Sequence, residues 1–137
     1  MKHRLLPYAI LVLGALIALR SPSASAHHSF AAEFDASKPI TLTGVVTRID
    51  WMNPHVWFYI NAKDDEGGTV RWACEMGAPH QLQGRGWLRD SMKIGDVVTV
   101  EGSLARDGTK RANARTVTTA DGRRLGAASS GPPSAGQ

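Results

Sequence analysis

Outside the first 26 residues, the side chains best suited to metal or proton chemistry are His27, His28, His55 and His80, together with Met52, Met76 and the single thiol of Cys74. Imidazole, thioether and thiolate ligands together favour copper, and imidazole sites bind Cu(II) most tightly among the common divalent ions. A histidine at the first position of a processed chain adds its free α-amine as a further ligand. The sequence therefore predicts a copper site drawn from His27, His28, His55 and His80, with Met52 or Met76 as soft ligands. No metal-type spacing motif accompanies them. Against this stands a structural role for each. His55 closes a turn after Asn53-Pro54, His80 begins a helix, and Cys74 in mid-strand packs as a small apolar residue.

The aromatic residues offer a second kind of site. Trp51, Trp57, Tyr59 and Trp87 are candidates for a ligand platform, because Trp57 and Tyr59 alternate out of phase with the apolar residues of their strand. Stacking on such a face suits a sugar or another flat ligand, unless an N-terminal arm bearing Phe30 and Phe34 covers it. No catalytic residue is assigned. The acidic residues Asp50, Glu75, Asp90 and Asp96 are scattered, so no carboxylate pair flanks a substrate bond. Phosphate loops, zinc-type cysteine pairs and nucleophile elbows are absent. A Cys74/His80 pair lacks an orienting carboxylate. The remaining enzymatic reading is an oxidative copper enzyme that uses the His27 amine and ring as a brace, and a non-enzymatic binding module is favoured over it.

The elements that must hold these residues read as strands. Ile40 to Trp51 is rich in β-branched residues, with Gly44 marking a bulge or a close approach. Met52-Asn53-Pro54-His55 is a turn, after which Val56, Phe58 and Ile60 alternate inward against His55, Trp57 and Tyr59. Asp64 to Gly68 is a hairpin loop, and Thr69 to Met76 places Val70, Trp72, Cys74 and Met76 on one side. A short helix is expected between about Pro79 and Arg89. Strands four and five follow at Val97 to Leu104 and about Ala112 to Thr119. In a three-strand meander, the end of strand one and the start of strand two meet the end of strand three. That geometry brings Met52, Asn53 and His55 beside Cys74, Glu75 and Met76, with His80 just beyond.

This order predicts an all-β fold of small α content, a five-stranded OB-like antiparallel barrel with one short helix between strands 3 and 4. Residues 1–26 read as a signal peptide: a basic start at Lys2 and Arg4, an apolar run from Leu5 to Leu19, and Ala24-Ser25-Ala26 at the cleavage point. The run is shorter than the roughly 20 residues that a membrane-spanning helix needs. An N-terminal arm over 27–38, a barrel over 39–125 and a disordered tail over 126–137 complete the division, the tail being almost entirely Gly, Ala, Ser and Pro. Cleavage removes three basic residues and no acidic one, so the net charge falls from +4 to +1. A near-balanced chain is a poor partner for nucleic acid. Stable membrane insertion after cleavage is likewise not expected. One cysteine cannot form an internal disulfide, so the fold must rest on its core.

The runs His27-His28-Ser29-Phe30, Trp51-Met52-Asn53-Pro54-His55, Trp72-Ala73-Cys74-Glu75-Met76-Gly77, Arg85-Gly86-Trp87 and Gly95-Asp96-Val97-Val98 resemble a family of small secreted bacterial proteins of unknown function. The resemblance covers residues 27 to 125 and implies export and a single small domain. It carries no activity or site residues across. Cys74 departs from it, standing where Phe or another apolar residue is expected. The sequence thus points to an exported, periplasmic or secreted binding module that takes copper at one barrel edge. The alternative is a small-ligand or protein-interaction module, its partner another periplasmic protein, that uses surface aromatics while the histidines are structural.

Overall fold

Residues 30–131 are described by a computed structural model, and they form a mostly β architecture with one short helix. The strands are β1 (Phe34–Asp50), β2 (Trp57–Lys63), β3 (Thr69–Glu75), β4 (Val97–Ala105), β5 (Arg111–Thr118) and β6 (Arg124–Gly126), and helix α1 (Pro79–Gln83) lies between β3 and β4. They form one six-stranded sheet in the order β3-β2-β1-β4-β5-β6. Neighbours pair antiparallel, but β3 also pairs in parallel with β5 through Ala73↔Arg111, Cys74↔Ala112 and Glu75↔Asn113. The pairings β1–β2–β3–β5–β4–β1 therefore close on themselves, and β6 is appended beyond β5.

Alternation sets the core. In β2 and the residue before it, Val56, Phe58, Ile60 and Ala62 are buried, and on β3 Trp72, Cys74 and Met76 join them, with Val98, Val100, Ala112, Ala114 and Val117 from β4 and β5. Each second residue turns inward because the side-chain period of a strand is two. Gly44 pairs with Ala62 on one side and Val98 on the other, and a Cβ there would lie 2.6 Å from the Asn61 carbonyl oxygen. The close approach predicted at Gly44 is thus present.

Several expectations need correction. The sheet has six strands rather than five, because Asp121-Gly122 does not end the chain's pairing but turns it into β6, where Leu125 pairs with Val117. β1 begins at Phe34 instead of Ile40: Phe34 and Asp35 pair with Ala105 and Leu104, and a register shift before Pro39 accommodates Ala36 to Lys38. The arm is consequently a helical turn over 30–33 that runs straight into β1. Arg106 fixes it, its backbone N–H donating to the Glu33 carbonyl and its Nε to those of Ala31 and Phe34. The helix is shorter than expected, because Gly84 and Gly86 follow it and Gly86 takes a positive φ of 88°.

The tail does not start at Gly126. Gly126 belongs to β6, and Ala127 and Ala128 are buried. The Ala127 amide donates to the Arg115 carbonyl at 2.7 Å, and its carbonyl accepts from the Gly77 amide at 2.8 Å. Small side chains let this segment lie flush on the sheet, where a composition argument sees only weak burial. Residues 132–137, the stretch 1–26 read as a signal peptide, and both His27 and His28 fall outside the described residues. Among the described residues, no helix is long and apolar enough to cross a membrane.

Candidate functional site

A cleft of about 650 Å³ opens where β3 meets β5, and His55, Glu75, Asn113, Arg85, Ser129 and Ser130 are among its lining residues. Its floor is built by strand register. Beyond the paired Trp57↔Glu75, the β2–β3 ladder continues as Val56 N–H to the Gly77 carbonyl (3.1 Å) and Met76 N–H to the Val56 carbonyl (2.8 Å). His55 is thereby held as a diagonal neighbour of Glu75, with both on the outer face of the sheet, within reach for long side chains. Asn113 arrives from the other side, as the register partner of Glu75 across the parallel seam.

These three side chains form a chain of contacts. His55 Nδ1 hydrogen-bonds Glu75 Oε1, and Asn113 Nδ2 donates to Glu75 Oε2 at 3.2 Å. Glu75 is buried although it sits on the outward phase of β3, and the His55 side chain is 41% exposed. A carboxylate withdrawn from water needs charge-assisted partners, and here each oxygen has one. Asn113 is 3% exposed, and its Oδ1 is the one buried side-chain polar atom among the described residues without a hydrogen-bond partner. This oxygen is turned away from Glu75 because the amide's donor side faces that carboxylate. The His55 Nε2 makes no hydrogen bond among the described residues.

The far wall is the segment from Ala128 to Gly131, which follows the buried Ala127. Ala128 lies in the left-handed region at φ 50°, a conformation that non-glycine residues adopt at a cost of about 1–2 kcal/mol. Gly77 makes this wall possible, since a Cβ there would stand 2.3 Å from the Ala128 carbonyl oxygen. Gly131 rests on the Phe30 ring, where a Cβ would come within 2.7 Å of Cε2. The N-terminal arm therefore touches the rim of the cleft.

Of the predicted metal ligands, His55 and Met76 line the cleft, Met76 with its side chain buried. His80 is exposed on α1, and Met52 is 58% exposed; neither lines the cleft. Among the described residues there is no group of three or more His, Cys, Asp or Glu side chains placed to hold a metal ion. Cys74 is wholly buried, and burial pushes its thiol up to about 12. It is a core residue and no nucleophile for His80.

The aromatic candidates divide. Trp87 is 1% exposed and its indole N–H donates to the Gly126 carbonyl at 3.0 Å, which makes it part of the core and corrects its reading as a ligand platform. The sequence around it, bracketed by glycines, hides this, because its burying partner is the C-terminal segment read as disordered. Trp51 packs against the main core, and Trp57 packs against Phe30, Phe34 and Ala105. The arm thus covers Trp57. Tyr59 is half-buried, like Trp51 and Trp57, with the guanidinium carbons of Arg48 and Arg71 5.3 and 4.9 Å from its ring centre.

His55, Glu75 and Asn113 lie within one matched region. The chain belongs to a family of unknown function, DUF6152, whose model matches residues 15–114. That span ends before the wall formed by Ala128 to Gly131. No curated protein matches the chain.

Sequence reasoning places His55 beside Glu75 without the hydrogen bond that joins them, and it assigns neither Asn113 nor Arg85 to the site. The available signal was Glu75 itself, a carboxylate in the last position of a strand whose turn partner carries a histidine. Nothing local signals Asn113, since its role depends on a seam between strands 38 residues apart.

Proposed function

We propose that this DUF6152 member is an exported binding module, an OB-like barrel whose cleft takes copper through His55 together with His27 and His28 of a chain processed after Ala26. The observation that carries the reading is the His55–Glu75–Asn113 chain at the cleft floor, which leaves the second imidazole nitrogen uncommitted. Histidines that bind metals characteristically lean on a carboxylate in this way. The cycle of strand pairings, with a helix between β3 and β4, supports the OB-like assignment.

Reach supports the participation of the terminus. Phe30 packs on Gly131 at the rim, and His28 is two residues earlier, a span of at most about 7 Å. Met76 is set aside as a ligand because its side chain packs into the core on the face opposite His55, and His80 and Met52 because they do not line the cleft. The location is periplasmic or secreted on the strength of the N-terminal 26 residues.

Calorimetric titration of the processed protein with Cu(II) tests the reading. His55→Ala should weaken binding at least tenfold, one extra residue ahead of His27 should do likewise by blocking the α-amine, and His80→Ala should change nothing. Weak wild-type binding, or indifference to His55→Ala, defeats the proposal. The alternative, recognition by surface aromatics, rests on Tyr59 between Arg48 and Arg71, an arrangement suited to an anionic ligand. Saturable perturbation of Tyr59 by an acidic glycan, without any effect of copper, would favour it.

A further inference from the structure

We infer that Glu75, braced by Asn113, is a positioning residue that fixes which nitrogen of His55 faces the cleft: Nδ1 carries the proton and Nε2 offers its lone pair. This assignment rests on the proposed copper reading only for the identity of the ligand. The argument for the tautomer uses hydrogen-bond chemistry alone.

An ionised carboxylate can only accept hydrogen bonds. Oε1 of Glu75 lies against His55 Nδ1, so the proton between them belongs to the ring nitrogen. Oε2 receives the Asn113 Nδ2, and this fixes the amide's orientation too, because an amide oxygen facing that carboxylate would set acceptor against acceptor. Asn113 Oδ1 must then point away from Glu75, and it is the atom without a partner. The orphan is the consequence of the amide's orientation toward Glu75: the amide accepts an unsatisfied oxygen in order to donate to the carboxylate. With both oxygens of Glu75 placed as acceptors, toward Asn113 Nδ2 and His55 Nδ1, one state of the ring is favoured.

The consequence is a directional donor. With Nδ1 held as N–H, the lone pair of Nε2 lies on the opposite side of the ring from Glu75, and a half-exposed imidazole presents it toward solvent or ligand. A glutamine at position 75 would undo this. Its amide oxygen can accept from Nδ1–H if Asn113 turns over, or its nitrogen can donate to a bare Nδ1 with Asn113 unmoved, so both tautomers become satisfied.

The test has two arms on the full processed chain. In the first, long-range ¹H–¹⁵N correlation spectra at about pH 9, where free imidazole is neutral, report the tautomer of His55 without any metal. Wild type should show Nδ1–H alone and Glu75→Gln a mixture; a wild-type Nε2–H ring, or an unchanged Glu75→Gln spectrum, overturns the inference. In the second arm, Cu(II) affinity of Glu75→Gln should fall 10- to 100-fold, the range for loss of an outer partner of a ligating histidine. If wild type shows Nδ1–H but no copper affinity, the copper reading fails and the tautomer assignment stands. If wild type binds copper, His55→Ala abolishes binding and Glu75→Gln leaves affinity unchanged, the positioning role is refuted while the copper reading survives.

Discussion

Replacing Gly77 by alanine should detach the C-terminal wall of the cleft. The added Cβ would lie 2.3 Å from the Ala128 carbonyl oxygen, where ordinary contact begins at 3.4 Å, so the wall must retreat by the difference, about 1 Å. The atoms that have to move are backbone, and no flexible side chain can absorb the overlap. A retreat of that size stretches the 2.8 Å bond from the Gly77 amide to the Ala127 carbonyl beyond hydrogen-bond range. Loss of that bond costs about 1 kcal/mol, and overpacking costs a further 1–3 kcal/mol or so, for about 2–4 kcal/mol in all. In a domain of this size that lowers Tm by roughly 10 °C or more.

Urea unfolding followed by tryptophan emission measures the effect, since the Trp87 indole is bonded to the Gly126 carbonyl at the base of the wall. If the wall yields locally without global unfolding, the loss appears as faster hydrogen exchange of the Ala127 amide, now bonded to Arg115. Gly126→Ala is the control: its Cβ would meet only the end of the Arg85 side chain, at 3.2 Å, which can swing aside. That variant should stay within about 0.5 kcal/mol of wild type. Equal unfolding midpoints and equal Ala127 exchange in the two alanine variants would refute the packing argument.

Three further outcomes follow from the same geometry. Trp87→Ala should destabilise the fold by about 3–5 kcal/mol, and Trp87→Phe by about 1–2 kcal/mol through the lost bond to Gly126; equal unfolding curves for Trp87→Ala and wild type would contradict its place in the core. The Cys74 thiol, pushed up to about 12 by burial, should be inert to thiol reagents at pH 8 in the folded chain and react fully once urea unfolds it. The bond from the Thr119 hydroxyl, aided by Arg123, holds the Asp121 carboxyl down at about 2. Ionised Asp121 therefore supports the β5–β6 turn fully above the ordinary value of 3.8 and loses that support as pH falls through about 2; carboxyl NMR shifts should titrate there, and Thr119→Val should return the midpoint toward 3.8.

Local patterns were legible wherever a single strand decides the outcome. The inward sets Val56, Phe58, Ile60 and Val70, Trp72, Cys74, Met76 follow from period-two alternation, and all are buried except Val70, which is half-buried near the start of β3. Gly44 announced a close approach because a glycine in a β-branched run has few other uses. What escaped was set by partners far along the chain. Phe34 extends β1 only because Ala105 waits opposite it, and β6 is three residues long, too short for any period to register. Composition misled most at Ala127 and Ala128: small residues look unable to bury area, but small size is what lets them fit against Gly77.

The same distinction explains where the candidate site lies. Alternation assigns Glu75 to the outer face, where a carboxylate would normally be solvated, and the parallel pairing with β5 then buries it beneath Asn113. A polar side chain is thus forced into partnership by topology. Its two oxygens are met by residues contributed from β5 and from the turn before β2, elements that share no local sequence signal. The cycle of strand pairings closes there through only three residue pairs, against seven between β2 and β3. A short seam leaves backbone and side chains free to form a cleft, and the C-terminal segment walls it. The site is therefore a property of how the sheet closes, and mutations that shift the β3–β5 register should disturb His55 even when they lie outside the cleft.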